Sequence, residues 1–466
     1  MTGEEKFKRE KFDHCFQHLF CAAVLVPCGA AFCAIPFLRE EIFVQLLSFG
    51  SVGAEVSLLQ LGLNRALALS IAQDGIFGNE TRDAVLAFQR ANGLVPDGVA
   101  GPRTEAALAP WYAGYAVHTI APGDTLWRLS VRYDTTLSLL ETANPSLDPF
   151  QLRIGSRVIV PFNFPVVPTT IPWCSELLGY CVEGLAARYP AVRAETIGRS
   201  VRQKPLWSLR FGTGARRVLY NAAHHANEWI TVPLLMRYTE EVLSANARGE
   251  AVFGVPAEEL LFQTSFAVVP CVNPDGMDLV TRALPESDRA AAAAIAARYP
   301  SIPFPDGWKA NLRGVDPNLQ YPAGWEEARA IKYAAGYTTP APRDFVGNAP
   351  LSIPESTALA DYIVRFDPAL MLAYHTQGDV IYWKYLDREP EGSRALAERF
   401  SAVSGYAIED VPYASAFAGC KDWFIAEFDR PGYTIEAGQG ENPLPLSEFE
   451  RIYEKNRGIL TAAAMG

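Results

Sequence analysis

Four apolar runs that do not alternate with polar positions, Val218 to Ala222, Phe266 to Val272, Ala369 to Tyr374 and Tyr433 to Ala437, are separated by stretches of helical period such as Val232 to Ser244. Such runs mark strands buried on both faces, and their alternation with helices predicts an α/β/α sandwich with a mixed, mainly parallel sheet from Trp173 to Gly466. Ligands of such folds collect beyond the carboxyl ends of the strands. A different pattern precedes it. Val56, Leu59, Gln60 and Leu63, then Val85, Phe88 and Gln89, recur at helical spacing, while Asp74-Gly75 to Thr81 is echoed by Asp97-Gly98 to Thr104. Each Asp-Gly pair makes a turn and each Thr lies near the next helix start, so this segment reads as a small all-α domain of half-repeats. Next, Pro122-Gly123-Asp124-Thr125 marks a turn and helix start, and Val158 to Val160 a closing strand, which gives a βααβ unit. Pro165, Pro168 and Pro172 then punctuate a stiff extended linker.

These patterns divide the chain into residues 1–45, 46–111, 112–162, the linker 163–172 and 173–466. Leu19 to Leu38 carries no charge and is long enough to cross a bilayer, but Pro27, Gly29 and Pro36 interrupt it and no small-x-small cleavage site follows. It reads as a poor signal or membrane-anchor segment, or as an over-long start to a chain that begins near Leu46. Lys6, Lys8, Arg9 and Lys11 ahead of this run and Glu40-Glu41 behind it would leave the remainder outside the cytoplasm.

Composition narrows the function. With 49% hydrophobic and 20% charged residues the chain is ordinarily globular, and a net charge of -11 argues against a nucleic-acid partner. Four of the eight cysteines fall in the first 45 residues, so the even count implies no disulfide framework. Cys174 and Cys181 either pair in an oxidising compartment or are two buried thiols.

The candidate chemistry sits at strand ends. His225 and Glu228 follow the first apolar run, His375 follows the third, and Glu436 lies within the fourth. Two imidazoles and one carboxylate leave a zinc ion an open fourth position, the pattern of a hydrolytic rather than a structural site. His224, next to a ligand, is expected to serve loop packing rather than metal binding.

His225-x-x-Glu228-Trp-Ile-Thr, Asn273-Pro-Asp-Gly276, Gly314-Val-Asp316 with Asn318, His375-Thr-Gln-Gly378, Lys421-Asp-Trp423 and Thr434-Ile-Glu436 occur in this order. In this the chain resembles zinc carboxypeptidases of the carboxypeptidase A type. The resemblance implies His225, Glu228 and His375 as ligands of one zinc ion per chain and Glu436 as the general base. The oxyanion partner of that family, an arginine after a tryptophan, is here Lys309 after Trp308, which supplies charge without the bidentate fork. Where carboxypeptidases have Asn-Arg to grip a free carboxylate, this chain has Asn318-Leu319. The stretches from Trp308 to Ala323 and from Arg430 to Pro443 are instead similar to the γ-D-glutamyl-L-diamino acid endopeptidase branch, which cuts muropeptide stems before diaminopimelate or lysine.

Asn318, Arg313 and Arg343 are candidate substrate contacts, and Tyr413 matches the family's capping tyrosine with a spacing to Asp422 off by about one residue. The half-repeat domain resembles a peptidoglycan-binding domain, and Gly123-Asp-Thr-Leu-Trp127, Ala143-Asn-Pro145 and Ile154-Gly to Val160-Pro161 resemble a LysM domain. Together they imply peptidoglycan as the partner and an extracytoplasmic, wall-associated location, or a sporulation compartment if the first segment is spurious. A carboxypeptidase trimming stem-peptide ends and a non-catalytic wall-binding protein are the alternatives.

Overall fold

The computed structural model describes residues 46–466, so the signal or anchor reading of residues 1–45 lies outside them. Among the described residues no helix is long and apolar enough to cross a membrane.

The doubled Asp-Gly signature has a single explanation. In the helix Ala54–Leu67, Gln60 donates through Nε2 to Asp74 Oδ1 (2.9 Å) and Thr81 Oγ1 (3.1 Å), and its Oε1 accepts from the Gly75 N–H (2.9 Å). In the helix Asn79–Ala91, Gln89 repeats this set with Asp97 Oδ1 (2.8 Å), Thr104 Oγ1 (3.2 Å) and the Gly98 N–H (3.0 Å). Each buried amide thus pins one turn to the start of the following helix, Asn79–Ala91 or Pro102–Ala113.

The next unit pairs Tyr115–Thr119 (β1) antiparallel with Arg157–Pro161 (β2) across the helices Leu126–Arg132 and Leu137–Ala143. Thr125 and Thr136 cap these helices, each accepting a backbone N–H at 3.1 Å. Asn144 holds the second helix to β2 by bonding both the N–H and the carbonyl of Ile159.

The segment 163–172 runs as a series of bends rather than one straight extended stretch, and it is no free spacer. Val166, Val167 and Ile171 are buried against the last domain. A segment outside helix and sheet leaves its backbone for other groups to pair. The Glu240 carboxylate accepts from the Val166 and Val167 N–H groups (2.7 and 2.9 Å), and Arg188 donates to the carbonyls of Gly114, Phe162 and Phe164. Cys174 and Cys181 are two buried, unpaired thiols.

From residue 173 onward the strands are Arg193–Arg199 (β3), Pro205–Phe211 (β4), Arg216–Ala222 (β5), the short pair Ala251–Val252 (β6) and Val255–Pro256 (β7), Thr264–Val269 (β8), Leu370–His375 (β9), Val380–Tyr382 (β10), Ala407–Glu409 (β11) and Gly432–Glu436 (β12). Eight of them form one sheet in the order β11-β10-β12-β9-β5-β8-β4-β3. The four apolar runs are its parallel centre, β12-β9-β5-β8. Alternate residues feed opposite layers. Val218 and Tyr220 join a core with Leu234, Tyr238 and Leu460, while Leu219 packs with Leu359, Tyr362 and Ile425. The flanking strands escaped the sequence reading for different reasons: β10 and β11 are three residues each, β4 begins at proline, and β3 is mostly polar.

Candidate active site

Three parallel strands end together. β5 stops at Ala222, and Ala223 takes a left-handed conformation (φ 51°) that turns the chain out of the sheet. A single 3-10 turn, Ala226–Glu228, then precedes the helix Thr231–Arg248. His375 is the last residue of β9, and the parallel register sets Glu436 of β12 beside it.

These ends bring the ligand candidates together. His225 Nδ1 lies 2.9 Å from Glu228 Oε1, and His375 Nδ1 lies 2.9 Å from Glu228 Oε2. The two Nδ1 atoms are 3.2 Å apart, and one donor atom from each of the three residues lies within 4.8 Å of the others. So close a convergence of imidazole nitrogens on a buried carboxylate is a donor set suited to a divalent cation, and His225, Glu228 and His375 fit one.

Charge at the site is balanced locally. Burial opposes ionisation of Glu228, but His225 and the Lys309 ammonium, whose Nζ donates to Oε1 at 2.9 Å, hold its carboxyl well below the usual range. Burial likewise opposes a charge on His225, yet the Glu228 carboxylate, aided by Asp316, pushes its pKa up to about 9. Glu436 is half-buried and lines the cleft. Burial pushes its carboxyl up, with His375 pulling the other way, as befits a group that must accept a proton.

His224 behaves as expected of a packing residue. It is fully buried with Nε2 2.9 Å from the Tyr321 hydroxyl, and burial pushes its pKa well down. Asn273 accounts for its motif. Its side chain caps the helix Pro274–Val280 through the Gly276 N–H and donates to the carbonyls of His224 and Ala310, tying the ligand loop in place.

The cleft encloses about 240 Å³, and Lys309, Asn318, Arg343 and Glu436 all line it. Arg343 is 40% exposed and spends Nε on Asp344 at 2.7 Å. Arg313 is exposed and is not among the lining residues. Tyr413 also lies outside the lining. It is 64% exposed, and its hydroxyl donates to Glu327 at 3.0 Å. Leu319 is buried in an apolar cluster with Trp325, Val346 and Phe417.

Sequence reasoning assigned no role to Asp316, whose Oδ1 stands 3.3 Å from His225 Nε2 and orients that ring. Burial works against its ionisation, but His225 and Lys309 keep it charged. The Gly314-Val-Asp316 motif was the available signal. Tyr382 and the buried Lys421–Asp422 pair also line the cleft; the Lys421-Asp-Trp423 motif was the signal for the pair, and Tyr382 had none.

Comparison with known proteins agrees with this arrangement. Residues 180–458 match the zinc carboxypeptidase family, residues 52–108 the putative peptidoglycan binding domain and residues 118–161 the LysM domain. The gamma-D-glutamyl-L-diamino acid endopeptidase 1 of Lysinibacillus sphaericus is 39% identical over 395 residues, covering 74% of this chain and 98% of that protein. The uncharacterized protein YqgT of Bacillus subtilis (strain 168) is 40% identical over 284 residues, covering 59% and 72%. Among solved structures, the carboxypeptidase A of Helicoverpa armigera superposes with a TM-score of 0.49 at 19% identity, covering 70% of this chain and 79% of that one.

Proposed function

Because the chain belongs to the zinc carboxypeptidase family, we propose that it is a zinc-dependent peptidoglycan hydrolase that cuts the γ-D-glutamyl-diamino acid bond of muropeptide stems. His225, Glu228 and His375 would hold one zinc ion per chain, which would supply Lewis acidity and lower the pKa of the attacking water. Glu436 accepts the proton that water loses and returns it to the leaving amine. Lys309 brings positive charge to the oxygen of the scissile carbonyl.

The observation that carries the endopeptidase reading is Leu319. A gripping arginine at that position would contribute charge-assisted bonds worth about 1.5–3 kcal/mol each to a free chain end, whereas Leu319 presents only an apolar side chain to the cleft it lines. A γ-linked D-glutamate also keeps its own α-carboxylate, and the half-exposed Arg343 guanidinium beside the cleft is suited to receive it. Asn318 borders the same space, with its Oδ1 accepting the Cys420 N–H at 3.1 Å.

Division into 46–111, 112–162, 163–172 and 173–466 gives this enzyme two wall-binding modules ahead of its catalytic domain. They would raise its effective concentration on the polymer that contains the bond. Such a substrate implies an extracytoplasmic, wall-associated location.

The test is mass spectrometry of purified muropeptides incubated with the zinc-loaded wild type and with Glu436→Gln. We expect a fragment that begins with the diamino acid, its rate lower in the variant by about 10²–10⁴-fold. Loss of one terminal residue would instead make the protein a carboxypeptidase, and no cleavage by either would leave a wall-binding protein.

A further inference from the structure

At the end of the sheet where β5 begins, opposite the strand ends that hold the metal-binding residues, lies a second cavity of about 320 Å³. Four arginines line it: Arg193 on β3, Arg210 on β4, Arg217 on β5 and Arg365 in the last turn of the helix Pro354–Phe366.

Their grouping sets four like charges around one cavity. Arg193 and Arg210 are direct partners across the antiparallel β3–β4 ladder, so both side chains leave the same face, where like charges repel. Among the described residues Arg217 alone of the four forms a salt bridge, with Asp367, which it shares with Arg430. Glu195, the one carboxylate lining the cavity, accepts the Tyr362 hydroxyl at 3.0 Å. The negative end of the 354–366 helix accounts for Arg365 but not for the pair on the sheet. Nor does composition, since the chain carries a net charge of -11.

Two of the guanidinium groups lie over aromatic rings, Arg210 over Phe366 (5.2 Å to the ring centre) and Arg365 over Tyr362 (5.1 Å), which favours an ordered placement. Side chains carried on three strands and a helix thus meet at one cavity. A planar carboxylate accepts one fork in its plane, whereas the tetrahedral oxygens of a phosphate accept several. We propose that this cavity is a phosphate-binding site, occupied either by free phosphate or by a phosphodiester group of an anionic polymer.

Calorimetric titration of the full chain tests this, with inorganic phosphate, poly(glycerol phosphate) and succinate as probes. Phosphate should bind the wild type and bind Arg193→Gln/Arg210→Gln at least tenfold more weakly, while muropeptide cleavage stays unchanged. Relief of repulsion should also leave that double variant no less heat-stable in phosphate-free buffer. Arg365→Gln provides an independent loss of affinity if the double variant fails to fold. Tighter binding of the polymer per phosphate would identify the phosphodiester as the source, and equal binding would identify the free anion. No phosphate binding, equal binding of succinate, or undiminished affinity in both variants would overturn the proposal.

Discussion

At the residue scale, the site candidates were legible because each lies in or just beyond an apolar run that reads as a buried strand. His375 and Glu436 sit side by side on β9 and β12, and His225 and Glu228 follow β5 within six residues. Asp316 lies in no such run. Its distance from His225 Nε2 is set by a loop that also receives the Asp344 N–H at 3.2 Å, a contact made across 28 positions of sequence. Removing its charge should release the imidazole, so Asp316→Asn is expected to weaken zinc binding by about 10–100-fold, measured by competition with a chelator. Tyr413, the candidate cap, packs against Phe417 and bonds Glu327 while its neighbours Pro412 and Ser415 line the cleft.

At the scale of elements, the half-repeats show how a short signature encodes a turn. Asp-Gly makes the bend, and the buried glutamine of the preceding helix satisfies its backbone and the threonine of the next. Gln89→Ala removes that partner from Asp97, Thr104 and the Gly98 N–H together. The variant should be less stable by roughly 2–3 kcal/mol, read from chemical denaturation of the half-repeat domain. The strands followed a different rule. Central strands announce themselves by continuous apolar runs because both faces are covered, whereas β3 has no fully buried position, and β10 and β11 are three residues each. The linker was not legible as docked, because the groups that satisfy its backbone are Arg188, at the far end of the next helix, and Glu240, more than 70 residues on.

At the scale of the whole molecule, the binding modules are seated on the catalytic domain. The Ala54 N–H donates to the Thr281 carbonyl (3.1 Å), and Tyr115 donates to Glu183 (2.5 Å). The helices 102–113 and 175–188 approach so closely that a Cβ at Gly184 would lie 2.0 Å from the Ala113 carbonyl oxygen. Glu55 is caught in this contact. Burial, reinforced by Glu176 and Asp278, pushes its carboxyl from 4.5 up to about 8, with Lys204 pulling the other way. The sign follows from linkage. Below 4.5 the carboxyl is protonated in both folded and unfolded chains, and as pH rises toward about 8 only the unfolded chain releases the proton freely, so stability is lost across that window. Glu55→Gln should therefore raise the melting temperature by roughly 2–4 °C at pH 8 and change it little at pH 4.5, measured by calorimetry.

By itself the sequence determined the order of the domains, the buried strands of the sheet, the half-repeats and the residues that converge at the strand ends. All of these follow from local patterns of burial, turn chemistry and motif spacing. Only the tertiary structure decided that Asp316 orients His225, that the linker is clamped, and that four arginines meet at the far end of the sheet. Each of these depends on which distant groups share a dielectric and a direction, and neither is written in residue spacing.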